Sequence, residues 1–289
     1  MAIHRLQEKI RKMKNPTVVN FSMLPEHIPG QILENSKGFL DAKEQYSLAL
    51  LSGLQDVVPA VRFSFLSYAL AGAEGLQSLV RILQKARELD YYILLEGVDA
   101  LSAQDAEIFA KALMDPDNTL CFDGIILSAY IGSDALRPYL SQLKDSGKDL
   151  FVVVRTANKT AAELQDLLTG TRLMHMAKAD IVNRFTQPLI TRCGYSQIAV
   201  MAGASSADSL RTLREKYKDI FILVDGCDYP NANAKNCSFA FDQLGHGAAA
   251  CAGLSVLSAW QETEGDCVEL AVQAAQRLKK NLTRYITIL

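Results

Sequence analysis

Eight short apolar runs, each separated from the next by an amphipathic stretch, constrain this chain more than any other feature. They are TVVNFS (17–22), DVVPAVRF (56–63), YYILLE (91–96), FDGIILSA (122–129), DLFVVVRT (149–156), SQIAVMAG (196–203), DIFILVDG (219–226) and GHGAAACAGL (245–254). The runs are nearly continuous in apolar residues, which predicts strands covered on both faces, as in a parallel sheet. The intervening segments have helical periodicity. GLQSLVRILQKARELD (75–90) sets Leu76, Leu79, Val80 and Leu83 on one face, and DALRPYLSQLKDS (134–146), ADSLRTLREKYKD (207–219) and CVELAVQAAQRLKKNL (267–282) follow the same logic. Repeated strand–helix units of this kind predict an α/β chain folded as a (β/α)8 TIM barrel, one domain over 1–289. A doubly wound open sheet is the alternative, but no GxGxxG follows the first strand. Residues 157–195, the longest connection, read as a helical elaboration between the fifth and sixth strands.

Composition narrows the function classes. Hydrophobic residues make up 49% and charged residues 21%, enough apolar material for a sizeable core. A formal charge of −2 gives no electrostatic case for nucleic acid or an anionic membrane. The six cysteines contain no CxxC pair, so they read as reduced thiols rather than a disulfide framework or a zinc site. The opening MAIHRLQEKIRKMK lacks the apolar core of a signal peptide, and the most apolar stretch (247–260) is too short to span a bilayer. The expectation is a soluble, cytoplasmic protein with no metal and no cofactor.

In a barrel the polar residues just beyond each strand define the site. Here they are Ser22, Arg62, Glu96 with Asp99, Ser128 with Tyr130, Arg155 with Thr156 and Asn158, Gly203 with Ser205, Asp225 with Asp228, and His246. Arg62 and Glu96, on adjacent strands, are expected to form a buried ion pair. His246 is the one histidine expected near the rim, as a loop or core residue rather than a catalyst. The spacing of Asp225, Asp228 and Asp242 fits no calcium loop, so these read as solvated loop acids.

The chain also resembles a known family along nearly its whole length. NPTVVNFSMLPEHIP (15–29), DVVPAVRFSFLSYALAGAEGL (56–76), FDGIILSAYIGSDALRPYL (122–140), FVVVRTANKTAAELQDL (151–167) and AGAS (202–205) are similar, in order and spacing, to segments of the longer bacterial orotidine 5′-phosphate decarboxylases. The resemblance implies a TIM barrel, a nucleotide-like ligand and a homodimer. It also implies a reactive Asp–Lys–Asp–Lys network whose last acid comes from the partner subunit. In that chemistry two acids crowd the substrate carboxylate, and a lysine protonates C6 as CO₂ leaves.

The reactive positions depart from that pattern. The family's DxKxxD falls on Glu96, Gly97, Val98, Asp99, Ala100 and Leu101, so the proton-donating lysine is Val98 and the partner-directed acid is Leu101. Ser22 takes the place of the first-strand Asp and Arg62 that of the second-strand Lys. The phosphate-contacting Gln falls near Pro230, and the Arg of the last strand falls on Leu254. A guanidinium with a pKa above about 12 is a poor proton donor, and valine and leucine cannot transfer protons at all. The sequence therefore predicts a homologue that lacks the family reaction and serves as a ligand-binding, regulatory or repurposed barrel. The rival readings are a working decarboxylase with an atypical site and a structural partner of an authentic one. Arg62, Glu96, Asp99, Ser128, Tyr130, Arg155, Thr156 and Ser205 are expected to line the surviving pocket, and backbone amides of the 203–206 turn and the last-strand glycines to hold an anion.

Overall fold

The computed structural model describes residues 2–97 and 99–289. Eight parallel strands close into a barrel: β1 (Thr17–Asn20), β2 (Ala60–Ser64), β3 (Tyr92–Glu96), β4 (Gly124–Leu127), β5 (Asp149–Arg155), β8 (Ile198–Gly203), β9 (Ile222–Asp225) and β10 (Ala248–Ala252). Strands β6 (Leu168–Thr169) and β7 (Arg172–Leu173) form a separate antiparallel hairpin between β5 and β8. Each predicted run holds one barrel strand, except that β2 ends at Ser64, one residue beyond its run, and every strand is shorter than its run. The flanking polar and glycine residues leave the ladder to build the turns.

Two expectations about the connections change. Segment 134–146 is not one helix but three short pieces, Gly132–Ala135, Arg137–Leu140 and Leu143–Ser146. Pro138, which cannot donate to a helical ladder, sits near the start of the second piece. Segment 157–195 is not purely helical. It carries the β6–β7 hairpin followed by the helix Met174–Asn183.

The helices Phe39–Leu54, Gly72–Glu88 and Cys267–Leu282 pack around the sheet with their apolar faces inward. The N-terminal helix Ala2–Met13 buries Ile3, Leu6 and Ile10, an i, i+3, i+7 stripe. Its first amide bonds to the carbonyl of Gly147, and Gln7 accepts from the amide of Gly247. Both glycines precede strands, so this helix lies against the N-terminal end of the barrel. The same end is fixed by Asp123, which meets Arg5 and Arg87, and by the Tyr92 hydroxyl on Asp149 at 2.6 Å. The opposite end, where the strands finish, is left for a site.

Register decides what faces that end. Ser64 pairs with Glu96 across β2 and β3, and Gly203 with Asp225 across β8 and β9. Gly203 is required by close packing: a Cβ there would lie 2.5 Å from the Ala157 Cα. Among the described residues no helix is long and apolar enough to cross a membrane.

Candidate functional site

Arg62 leaves β2 pointing into the barrel and is 6% exposed. Its Nε donates to Glu96 Oε2 at 2.9 Å, and Nη2 donates to the same oxygen. Nη1 donates to Asp225 Oδ1 at 2.6 Å and approaches Cys251 Sγ at 3.8 Å. Strands β2 and β9 are separated by β1 and β10 in the closed sheet, so the Asp225 contact crosses the interior. Burial opposes the charge on Arg62, but Cys251, Asp225 and Glu96 more than offset it and hold its pKa above the usual arginine value. Burial likewise pushes the Cys251 thiol up to about 12. The expected Arg62–Glu96 pair is thus one half of a larger knot, in which two carboxylates consume the guanidinium.

Asp225, Asp228 and Asp242 are not solvated loop acids. Asp225 holds Arg62. Asp228 accepts from the backbone amides of Gly253, at 2.8 Å, and Ser255, at 3.1 Å. Asp242 accepts the Tyr195 hydroxyl at 2.6 Å and the amides of Leu244 and His246. In each case a donor from a distant or following segment replaces water. Asp228 also corrects the expectation for the last-strand glycines: the amide of Gly253 is already occupied by a carboxylate of the same chain.

A cavity of about 140 Å³ opens next to this knot, between the ends of β1, β9 and β10. Asn20, Ser22, Asp225, Asp228, Tyr229 and Leu254 are among its walls. Ser22 donates to Asn20 Oδ1 at 3.1 Å. Among the described residues the lining holds two carboxylates and no cationic side chain, a field that opposes a phosphate.

At β5 the guanidinium of Arg155 is gripped by both oxygens of Asp166, each at 3.0 Å, and its Nη1 reaches Ser205 Oγ at 3.3 Å. These hydrogen bonds hold the Asp166 carboxyl below its usual range, and His175 adds to the effect. The Thr156 amide and hydroxyl are bonded to Gln165. Arg155, Thr156 and Ser205 are therefore brought together, with their polar groups turned largely toward the LQD segment (164–166). Asn158 accepts the Thr156 hydroxyl at 2.5 Å.

Between β3 and β4, Asp99 accepts the Ser128 hydroxyl and, at 3.2 Å, the amide of Ala129. Lys178, from the helix Met174–Asn183, donates to the Ser128 carbonyl. Burial lowers its pKa to about 8 against the opposing pull of Asp99. Tyr130 is 76% exposed and Leu101 84% exposed on the same rim, so Leu101 does not fold back into its own barrel. Val98 lies outside the described residues. His246 precedes β10 rather than following it, so it belongs to the opposite end, where its Nε2 meets the Leu289 carbonyl at 3.0 Å.

Sequence reasoning missed Asp166, Gln165 and Lys178. The first two lie inside the LQDL stretch that carries the family resemblance, which was a usable signal. Lys178 had none, because its approach to β4 depends on where the long connection folds. Among the described residues no cluster of His, Cys, Asp and Glu is arranged to hold a metal ion.

No family model matches the chain. It is 26% identical over 266 residues to the orotidine 5′-phosphate decarboxylase of Clostridium kluyveri, covering 91% of this chain and 90% of that one. It is 24% identical over 290 residues to the Clostridium acetobutylicum protein of the same name, covering 98% and 100%. Among solved structures it superposes on Leishmania donovani OMP decarboxylase with a TM-score of 0.74 at 18% identity, covering 98% and 99%. The Plasmodium berghei orotidine 5′-monophosphate decarboxylase gives 0.78 at 11% identity, covering 98% of each chain. The structural likenesses show the fold, and the similar sequences are those of proteins named orotidine 5′-phosphate decarboxylase.

Proposed function

We propose that this chain, a relative of the orotidine 5′-phosphate decarboxylases along nearly its whole length, does not decarboxylate orotidine 5′-phosphate and serves as a ligand-binding, regulatory or repurposed barrel. The observation that carries this reading is the state of Arg62. At the family's second-strand lysine position stands a guanidinium held by Glu96 and Asp225. It is a poor proton donor, and Val98 supplies none at the position of the second lysine.

The phosphate end supports the same reading. Pro230 and Leu254 stand where the family's glutamine and arginine fall, and Asp225 and Asp228 line the neighbouring cavity. Removing charge-assisted phosphate contacts costs roughly 1.5–3 kcal/mol each, and that binding energy is what drives catalysis at a remote centre. Purified protein is expected to leave orotidine 5′-phosphate unconverted above background, and 6-substituted UMP analogues are expected to bind weakly by calorimetry. Loss of substrate absorbance proportional to protein concentration and abolished by Glu96→Ala would establish the rival reading, an active decarboxylase, which the names of the relatives favour.

The same reading includes a homodimer formed through the strand-end face, in the cytoplasm. Leu70, 88% exposed, joins Leu101 and Tyr130 among the large apolar side chains exposed after β2, β3 and β4. Covering such side chains is worth roughly 1.5–3 kcal/mol each. Six unpaired cysteines suit a reducing compartment.

A further inference from the structure

The cavity between the ends of β1, β9 and β10 offers a ligand the opposite of what a phosphate needs. In the cavity wall and the knot beside it, one guanidinium, that of Arg62, stands against the carboxylates of Glu96, Asp225 and Asp228. Asp225 gives Oδ1 to Arg62, and Asp228 gives Oδ2 to the amides of Gly253 and Ser255. The second oxygen of each, Asp225 Oδ2 and Asp228 Oδ1, has no hydrogen-bond donor among the described residues. Both side chains line the cavity, so each keeps an acceptor unspent there.

The rest of the wall is independent of these acids and points the same way. Tyr229 lines the cavity and is 48% exposed. Its amide bonds to the Gly226 carbonyl at 3.1 Å in a tight turn where Gly226 has φ of 67°. A Cβ on Gly226 would lie 3.0 Å from the Tyr229 ring and 2.7 Å from the Ala157 Cβ, so the ring is seated against bare backbone. Burial, then Asp225 and Asp228, raise the Tyr229 hydroxyl above its usual value, so the phenol stays neutral. The face of a neutral ring is negative and attracts cations. Leu254, 45% exposed, adds an apolar wall where the family's arginine falls.

We propose that this cavity binds a small primary alkylammonium, with its head between Asp225 and Asp228 and its chain against Tyr229 and Leu254. An ammonium carries three N–H donors and no acceptor, which suits two carboxylates with unspent oxygens. A volume of about 140 Å³ has room for several water molecules, more than a bare metal ion fills. Two carboxylates are also few for a hard cation such as Ca²⁺, which takes about six to eight oxygens. The proposal rests on the reading of this chain as a repurposed barrel, and it names the ligand class that replaces the nucleotide.

The test is calorimetric titration of the full chain with n-butylammonium at pH 7.5 and low ionic strength. Butylammonium should bind at least about tenfold more tightly than 1-butanol, its neutral counterpart, and butyl phosphate should show no saturable heat. Asp228→Asn keeps an oxygen for the amides of Gly253 and Ser255 but removes the charge, and should weaken binding about tenfold. Tyr229→Leu should weaken it about two- to fivefold. Butylammonium bound no more tightly than butanol would overturn the proposal. So would an affinity unmoved by Asp228→Asn in a variant with the wild-type melting temperature, or displacement of butylammonium by equimolar Mg²⁺. Turnover of orotidine 5′-phosphate is assayed separately, so failure of amine binding and failure of the non-decarboxylating reading are told apart.

Discussion

The two sides of the barrel mouth use their polar groups in opposite ways. Across the interior from β2 and β3 to β9, Arg62 is locked between Glu96 and Asp225, and beside it, at the ends of β9 and β10, Asp228 covers the amides of Gly253 and Ser255. On the β3–β4 side, Lys178 is held through a main-chain carbonyl, and the Tyr139 hydroxyl has no partner among the described residues. A ring of polar residues is therefore not in itself a reactive site. A guanidinium saturated by carboxylates has nothing left to offer a ligand, whereas the Lys178 ammonium is spent on a main-chain carbonyl and fixes a turn.

The largest test of this contrast is Arg62→Met. Breaking a buried ion pair costs about 3–5 kcal/mol. The lower end is expected, since the side chains of Glu96 and Asp225 retain 21% and 17% of their exposure. Urea unfolding should register that loss, and a change under about 1 kcal/mol would show that the knot is not structural. Leu101→Asp should come next, weakening a strand-end dimer by roughly 1.5–3 kcal/mol. Sedimentation should find the wild type near twice the 31.7 kDa chain mass; a monomer at micromolar concentration, or a dimer indifferent to the change, removes the role given to Leu101.

Asp228→Ala should cost about 1–2 kcal/mol by stripping two backbone amides of their acceptor. It should also leave those amides open to anions, so that sulfate raises the melting temperature of the variant more than that of the wild type. Equal responses would mean that Asp228 does not block an anion.

The remaining effect concerns pH. Lys43 is lowered from 10.5 to about 8 by burial. Between those values the unfolded chain binds more protons than the native one, so this group makes stability rise as pH climbs through the window. Below about pH 8 its full penalty is present. Lys43→Met should abolish that component of the rise, read as the difference between variant and wild type at pH 7.5 and 10. A constant difference across that range would contradict the assignment.

How much was legible in advance varied with the distance over which a feature is decided. The helix Cys267–Leu282 has the bounds its periodicity predicts, because an amphipathic stripe and the capping Asp266 are local. The pairing of Arg62 with Glu96 was legible from adjacent strands. Its second partner, Asp225, is 163 residues away and was misread, because nothing local distinguishes it from a loop acid. His246 was placed at the wrong end: it stands at the start of the run 245–254, and a residue there precedes the strand Ala248–Ala252.

The sequence by itself determined the eight strands, the barrel they form, and the residues standing at the family's reactive positions, including Val98 and Leu101. These follow from hydrophobic periodicity and from residue identity, both of which are properties of short segments. Only the tertiary structure decided that Arg62 is spent across the barrel, that Asp228 fills the amides of the last turn, and that Lys178 reaches β4 from the far end of a long connection. Those outcomes depend on closure of the barrel, which brings distant side chains within hydrogen-bonding range and removes the water that would otherwise have satisfied them.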